Sequence, residues 1–269
     1  MSSYVQKHSN IISREVRNIV TQRYQNVTSA SNRTFWQSNS NTNHSIYVGS
    51  YGRGTAVKTG DIDILCSLPK SEFDHFNNSN GNGQSRLLQS LRNSILVSYP
   101  HSDIRADGQV VKISFSDGMK FEILPAFHQL DPWGLELSSF RYPDSNMGGK
   151  WKSTDPKAEQ KAVHIKNKES NGLYQATCRH LRIIRNDHFK SFHLSGIVID
   201  SFVYSAMQGW RFTPTGEQSK SSLGDYENVL LKYFYDHYSD ALYSPGSQQK
   251  VDLNSNSEAL EKVLNYLVK

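Results

Sequence analysis

One stretch limits what this chain can fold into more than any other: Gly49-Ser50-Tyr51-Gly52-Arg53-Gly54-Thr55-Ala56-Val57-Lys58-Thr59-Gly60-Asp61-Ile62-Asp63-Ile64-Leu65. The apolar run Ile46-Tyr47-Val48 stops at the Gly49-Ser50 pair, so a strand feeds a turn there. A short helix, a break and a second strand follow. Glycine at 49 permits close approach of the backbone to a ligand, and Ser50 offers a hydroxyl and an N–H that suit a phosphate. In the second strand Asp61 and Asp63 alternate with Ile62 and Ile64. Strand side chains alternate faces with period two, so both carboxylates project from one face and both isoleucines enter the core.

Two adjacent carboxylates repel each other and resist ionisation unless a cation lies between them. A hard ion such as Mg²⁺ takes oxygen ligands and commonly holds substrate phosphates as well. An Asp-x-Asp pair by itself is usually solvated, and a Gly-Ser pair says less still. Together, at this spacing and on a strand, they indicate metal-assisted nucleotidyl transfer. The run is similar to the Gly-Ser…Asp-x-Asp motif of the DNA polymerase β-like nucleotidyltransferase superfamily. In its fuller wording, Gly49 to Ala56 followed by Asp61 to Leu65, it most resembles the bacterial CD-NTases. These are relatives of cyclic GMP-AMP synthase and oligoadenylate synthetase that make cyclic or linear oligonucleotide signals in anti-phage defence. The resemblance spans most of the chain, while its specific motifs occupy a small part of it. It implies an α+β fold: a polymerase β-like nucleotidyltransferase lobe with a small mixed sheet at 1–150, an α-helical lobe at 151–269, and the active site in the cleft between them.

A hairpin supplies the third carboxylate. Gly108 to Phe115 reads as a strand, Ser116-Asp117-Gly118 as a turn and Met119 to Phe127 as the return strand. Glu122 sits among Phe121, Ile123 and Leu124, so it either points to solvent on a one-sided sheet or meets a cation. In the resembled family a carboxylate comes from such a strand, often followed by a proline as at Pro125. It is commonly Asp, so Glu122 departs by one methylene. Asp117, in the turn, is the reserve candidate.

Arg179, Arg182 and Arg185 recur every three residues on a helix from Leu173 to Phe189. They form either a solvated basic face or a row of guanidiniums directed at a triphosphate. The resemblance places a basic residue on this helix against the β/γ-phosphates; Arg185 matches it best and Arg182 second. A buried helix is expected from Phe192 to Tyr204, with Ser191 at its start as N-cap or as a contact to phosphate or nucleobase.

Elsewhere, apolar spacing predicts a helix over Tyr4 to Val27, which the resemblance lays against the helical lobe. The polar run 26–43 is expected to hold a second short helix. Asp74 to Ser85 reads as a flexible loop, Gln84 to Tyr99 as a helix and Leu130 to Lys150 as irregular. Pro156 opens a helix, and Tyr226 to Tyr243 and 257–268 form two more.

No run of eighteen apolar residues appears, so no membrane span is expected, and the N-terminus lacks a secretory apolar region. Cys66 and Cys178 make neither a disulfide framework nor a zinc site, which suits a reducing cytoplasm. A net charge of +5 over 269 residues suits an anionic ligand without the dense basic stripe of a duplex binder. No residue pattern points to an activator or downstream effector.

The expected chemistry follows. Asp61 and Asp63 hold two Mg²⁺ ions, for which Mn²⁺ could substitute, and Glu122 completes one site and accepts a proton. Gly49, Ser50, Arg182, Arg185 and Ser191 bind a nucleoside triphosphate. The competing readings are a template-independent enzyme acting on RNA ends or a protein acceptor, and a non-catalytic nucleotide sensor, whose mark would be a missing carboxylate.

Overall fold

The computed structural model describes residues 4–7, 12–57 and 61–269. They fall into two units by their internal contacts. The sheet unit comprises residues 12–52 and 61–157, and the helical unit 4–7, 53–57 and 158–269. Residues 58–60, within the stretch where a break between the short helix and the second strand is expected, lie outside the described residues.

In the sheet unit the order is α1 (Arg14–Phe35), β1 (Ser45–Tyr47), α2 (Gly49–Gly52), β2 (Ile62–Ser67), α3 (Lys70–Asn77), α4 (Gly83–Ser98), β3 (Asp103–Asp107), β4 (Val110–Ser114), β5 (Lys120–Leu130), β6 (Glu136–Asp144) and β7 (Lys150–Thr154). The strands run β1-β2-β5-β4-β3, with β6 on β5 and β7 on β6. Among the described residues only β2 and β5 pair in parallel, so the sheet is mixed. One face of its centre is apolar. Ile62 and Ile64 of β2 and Phe121 and Ile123 of β5 pack with Leu87, Leu91 and Ile95 of α4 and Val20 and Val27 of α1. Period two then sends Asp63 and Glu122 to the opposite face.

The first helix differs from expectation. Part of the range expected to be helical, residues 8–11, lies outside the described residues. The helix starts at Arg14, where the Ser13 hydroxyl accepts from the Val16 N–H, and runs unbroken to Phe35. Polar residues do not break it, because the loop that follows satisfies them. Thr28 Oγ1 lies 2.6 Å from Ser45 Oγ, and Asn32 Nδ2 donates at 2.8 Å to the carbonyls of Ser40 and Asn43. This helix belongs to the sheet unit's core, not to the helical unit.

Residues 130–150, read as irregular, contain β6 and the start of β7. Residues Glu136, Leu137 and Ser138 are exposed, so no buried alternation marks the strand. Pairing with β5 and β7 makes it one. The expected loop at 74–85 shrinks to residues 78–82, since α3 runs to Asn77 and α4 starts at Gly83.

The helical unit is built from α5 (Pro156–Glu169), α6 (Leu173–His188), α7 (Gly196–Ala206), α8 (Asp225–His237), a small pair β8 (Leu242–Tyr243) and β9 (Lys250–Val251), and α9 (Ser257–Leu267). Leu181, Ile199, Phe202, Leu230, Phe234, Leu260 and Leu264 form its core. Among the described residues no helix is long and apolar enough to cross a membrane.

Candidate active site

The sheet positions the carboxylates. In the parallel β2–β5 pairing Asp63 is the register partner of Glu122. Neighbours in register share a face, so the two carboxylates stand side by side opposite the core. Asp61, exposed, precedes β2 by one residue and is two residues from Asp63.

The turn before β2 is pinned to the same strand. The Val48 N–H donates to the Asp63 carbonyl at 2.9 Å, and the Gly52 N–H donates to the Val48 carbonyl at 2.9 Å. Gly49 has φ +58°, and a Cβ there would lie 1.9 Å from Asp63 Oδ2. The Asp63 carboxylate thus rests directly over the Gly49 backbone. Ser50 follows in the first turn of α2, half-buried. Gly49, Ser50, Asp63 and Glu122 are therefore brought together within one unit.

Glu122 also has a cationic neighbour. Lys112 of β4 is its register partner, with Nζ 3.5 Å from Glu122 Oε1 and 2.7 Å from Asp107 Oδ2. The Asp107 carboxylate, with help from Glu122, raises the Lys112 pKa above the ordinary lysine value. The signal was available: counting back across the turn at Ser116-Asp117-Gly118 pairs residue 112 with 122. Asp117, the reserve carboxylate, instead pairs with Arg23 of α1 at 2.9 Å.

As they stand, no three His, Cys, Asp or Glu side chains among the described residues converge to hold an ion. The donor set nonetheless fits a hard cation. It is all oxygen, two carboxylates are in register on one face, and a third lies two residues upstream on an exposed approach.

The arginines of α6 have separate fates. Arg182 is 3 % exposed. It donates to Asp200 Oδ1 at 2.6 Å, to the Gly196 carbonyl at 2.8 Å and to the Cys178 carbonyl at 3.2 Å. Such a guanidinium is committed to the core, which corrects the expectation that it faces a triphosphate. Arg185 forms no ion pair among the described residues; it donates to Asn186 Oδ1 at 2.9 Å and to the Leu194 carbonyl at 2.8 Å. Burial, reinforced by the Arg182 charge, lowers its pKa from the ordinary guanidinium value. Ser191 lies exposed in the turn between α6 and α7. The helix expected to start at Phe192 starts at Gly196, with Ser195 as N-cap, so Ser191 caps nothing.

The second half of the opening motif, Arg53 to Thr55, enters a buried network. Arg53 Nε donates to Asp200 Oδ2 at 2.8 Å, Thr55 Oγ1 donates to the same oxygen at 2.9 Å, and Arg53 pairs with Glu159 at 3.0 Å. Burial pushes the Asp200 carboxyl up, but the Arg182 and Arg53 guanidiniums outweigh it and hold it below the ordinary value. A lone carboxylate in the apolar run Gly196-Ile197-Val198-Ile199-Asp200 was the signal for this network.

Comparison with known proteins matches residues 4–167, more than half of the chain, to the Second Messenger Oligonucleotide or Dinucleotide Synthetase domain. The chain belongs to this family. It is a nucleotidyltransferase that makes oligonucleotide second messengers. Its fold is similar to those of solved bacterial synthases. The Rhodothermus marinus CdnE c-UMP-AMP synthase with Apcpp and Upnpp is 11 % identical, with TM-score 0.66 over 98 % of this chain and 92 % of that one. The Elizabethkingia meningoseptica CdnE cyclic dinucleotide synthase with GTP and Apcpp is 15 % identical, with TM-score 0.62 over 93 % and 89 %. The STING-associated CdnE c-di-GMP synthase of Capnocytophaga granulosa is 16 % identical, with TM-score 0.64 over 94 % and 80 %. No curated protein matches the chain at a significant level.

Proposed function

We propose that this synthetase joins nucleoside triphosphates into a cyclic or short oligonucleotide messenger with release of pyrophosphate, in anti-phage defence within the cytoplasm. The observation that carries the reading is the register of Asp63 with Glu122 beside the Gly49-Ser50 turn. Asp61, Asp63 and Glu122 would hold divalent cations, Mg²⁺ or Mn²⁺, which when bound neutralise phosphate charge and ease loss of the hydroxyl proton. The chain's own groups do the rest. Gly49 lets the turn lie close under the substrate, and the Ser50 hydroxyl and backbone orient its phosphates. Glu122 accepts the proton of the attacking ribose hydroxyl. The hydroxyl oxygen bonds to the α-phosphorus, the bond from that phosphorus to the bridging oxygen breaks, and pyrophosphate leaves with the electron pair. Arg185, rather than Arg182, supplies a guanidinium to the triphosphate, because Arg182 is consumed by Asp200.

The test is incubation of the protein with the four ribonucleoside triphosphates and Mg²⁺ or Mn²⁺, followed by phosphatase and mass spectrometry. A phosphatase-resistant oligonucleotide is the expected product, and its mass identifies the bases. Transfer to added RNA ends or to a protein, with no free oligonucleotide, would replace this reading with the acceptor-modifying one.

A further inference from the structure

Four charged side chains stand in one row across the sheet. Asp63 on β2 is in register with Glu122 on β5, Glu122 with Lys112 on β4, and Lys112 with Arg105 on β3. Register partners share a face, so carboxylate, carboxylate, ammonium and guanidinium follow one another at strand spacing. Glu122 is thus flanked by a carboxylate on one side and an ammonium on the other. Its longer arm allows it to lean either way.

It leans toward the cation. Lys112 Nζ lies 3.5 Å from Glu122 Oε1, but it is not wholly given to Glu122, because Asp107 Oδ2 holds the same nitrogen at 2.7 Å. Asp107 is the closer partner and draws the ammonium toward β3. Lys112 is 45 % exposed in its side chain, Glu122 31 % and Asp107 62 %, so all three are free to shift in response to a bound ion.

We propose that Lys112 is a positioning residue: it holds Glu122 away from Asp61 and Asp63 and thereby sets how tightly the site takes a divalent cation. Asp107 sets the strength of that hold by competing for the same ammonium. A cation reaching Asp63 must draw Glu122 off Lys112 and accept a positive charge two strands from Asp63. The chain carries a built-in competitor for its own metal ion, and occupancy then depends on the phosphates that arrive with the substrate. This rests on the metal-binding reading of Asp61, Asp63 and Glu122 given above.

The test is Mn²⁺ binding to the nucleotide-free protein, followed by loss of the free-ion electron paramagnetic resonance signal, so no turnover is needed. Lys112→Gln should tighten Mn²⁺ binding about three- to tenfold, with the melting temperature unchanged because the side chain is half-exposed. Lys112→Arg, which keeps the charge, should bind as the parent does. Asp107→Asn should act in the opposite sense, weakening binding as Lys112 turns fully to Glu122, and should have little effect once Lys112 is Gln. In a Glu122→Gln background the gain from Lys112→Gln should shrink, since the hold acts through that carboxylate.

Unchanged or weaker binding in Lys112→Gln overturns the proposal while leaving the metal site standing. So does an Asp107→Asn effect of equal size with or without Lys112. If, with a non-hydrolysable nucleoside triphosphate added, the parent protein takes up no more Mn²⁺ than Asp61→Asn/Asp63→Asn, the metal reading itself fails and the proposal falls with it.

Discussion

At Gly49 the backbone sits at φ +58°, and an added Cβ would meet Asp63 Oδ2 at 1.9 Å, Cγ at 2.6 Å and Cβ at 2.9 Å. Neither the conformation nor the space admits another residue without moving that carboxylate. Gly49→Ala should therefore lower the rate of pyrophosphate release by at least about 100-fold, because a shift near 1 Å in a catalytic group costs that much. The melting temperature should fall by only a few degrees, roughly 1 kcal/mol. A rate within threefold of the parent would show that the placement of Asp63 over the turn is immaterial. The sequence made this position legible for a different reason, close approach to a ligand. The strand that carries Asp63 and the hairpin that carries Glu122 were readable because strand period and turn chemistry are local rules. Lys112 obeys the same rules, but a lysine in a half-exposed strand reads as solvated, so its tie to Glu122 was overlooked. Arg182 was misread for the opposite reason. Its partner Asp200 lies eighteen residues onward, on another helix, and no spacing on α6 reveals it.

An element can carry one chemical type and divide its tasks. On α6, Arg182 is spent inside the unit while Arg185 is partly buried and, among the described residues, bound only to neutral oxygens. A guanidinium with no carboxylate partner is a standing site for an anion. Arg185→Ala should raise KM for the nucleoside triphosphate about tenfold, the cost of one charge-assisted contact, and leave the melting temperature nearly unchanged. Arg182→Ala should do the reverse, costing roughly 3 kcal/mol of stability in urea unfolding by removing one of the two guanidiniums that hold the buried Asp200. If both variants changed only KM, the division of tasks would be wrong. The end of β6 offers a second case. Asp144, 3 % exposed, accepts from Lys152 Nζ at 3.0 Å and from the backbone and side-chain N–H groups of Asn146 at 3.1 and 2.8 Å. The Lys152 contact and these donors lower its pKa to about 2. An unfolded aspartate titrates near 3.9, so the unfolded chain binds more protons between these values. The stability from Asp144, up to about 2 kcal/mol, is complete above about pH 5 and is lost as the pH falls toward 2. Asp144→Asn should flatten that part of the stability–pH curve in urea titrations, and an unaltered slope would remove Asp144 from the account. This corner was not legible as structure at all, because β6 is mostly exposed and carries Pro143, so apolar alternation could not mark it.

At the scale of the chain, the opening motif is divided between two cores. Gly49 to Gly52 belongs to the sheet unit and residues 53–57 to the helical unit, although the sequence continues through both without a pause. The helix opening at Pro156 was readable, but a division into 1–150 and 151–269 treats domains as continuous segments. The excursion at 53–57 could not be seen because what fixes it is a partner far away in sequence. Arg53, Glu159, Arg182 and Asp200 come from four stretches and form a buried set of two cations and two anions. Asp200 is wholly buried and shared by both guanidiniums and by the Thr55 hydroxyl. Within it, burial outweighs the pull of Arg53 and raises the Glu159 carboxyl, while Asp200 stays below its usual range. Asp200 is accordingly the member whose charge the set cannot lose. Asp200→Asn leaves two buried guanidiniums facing one carboxylate, an imbalance that costs roughly 3–5 kcal/mol. Amide exchange gives the test a location: α6 and α7 should exchange about 100-fold faster or more, while β2, β4 and β5, in the other core, should hold their protection. Replacing Arg53 by Met, Arg182 by Met, Asp200 by Leu and Glu159 by Gln together should recover much of the loss, since an apolar set of similar volume strands no charge. Equal loosening of both cores in Asp200→Asn would mean that the network supports the whole chain rather than the unit that contains it.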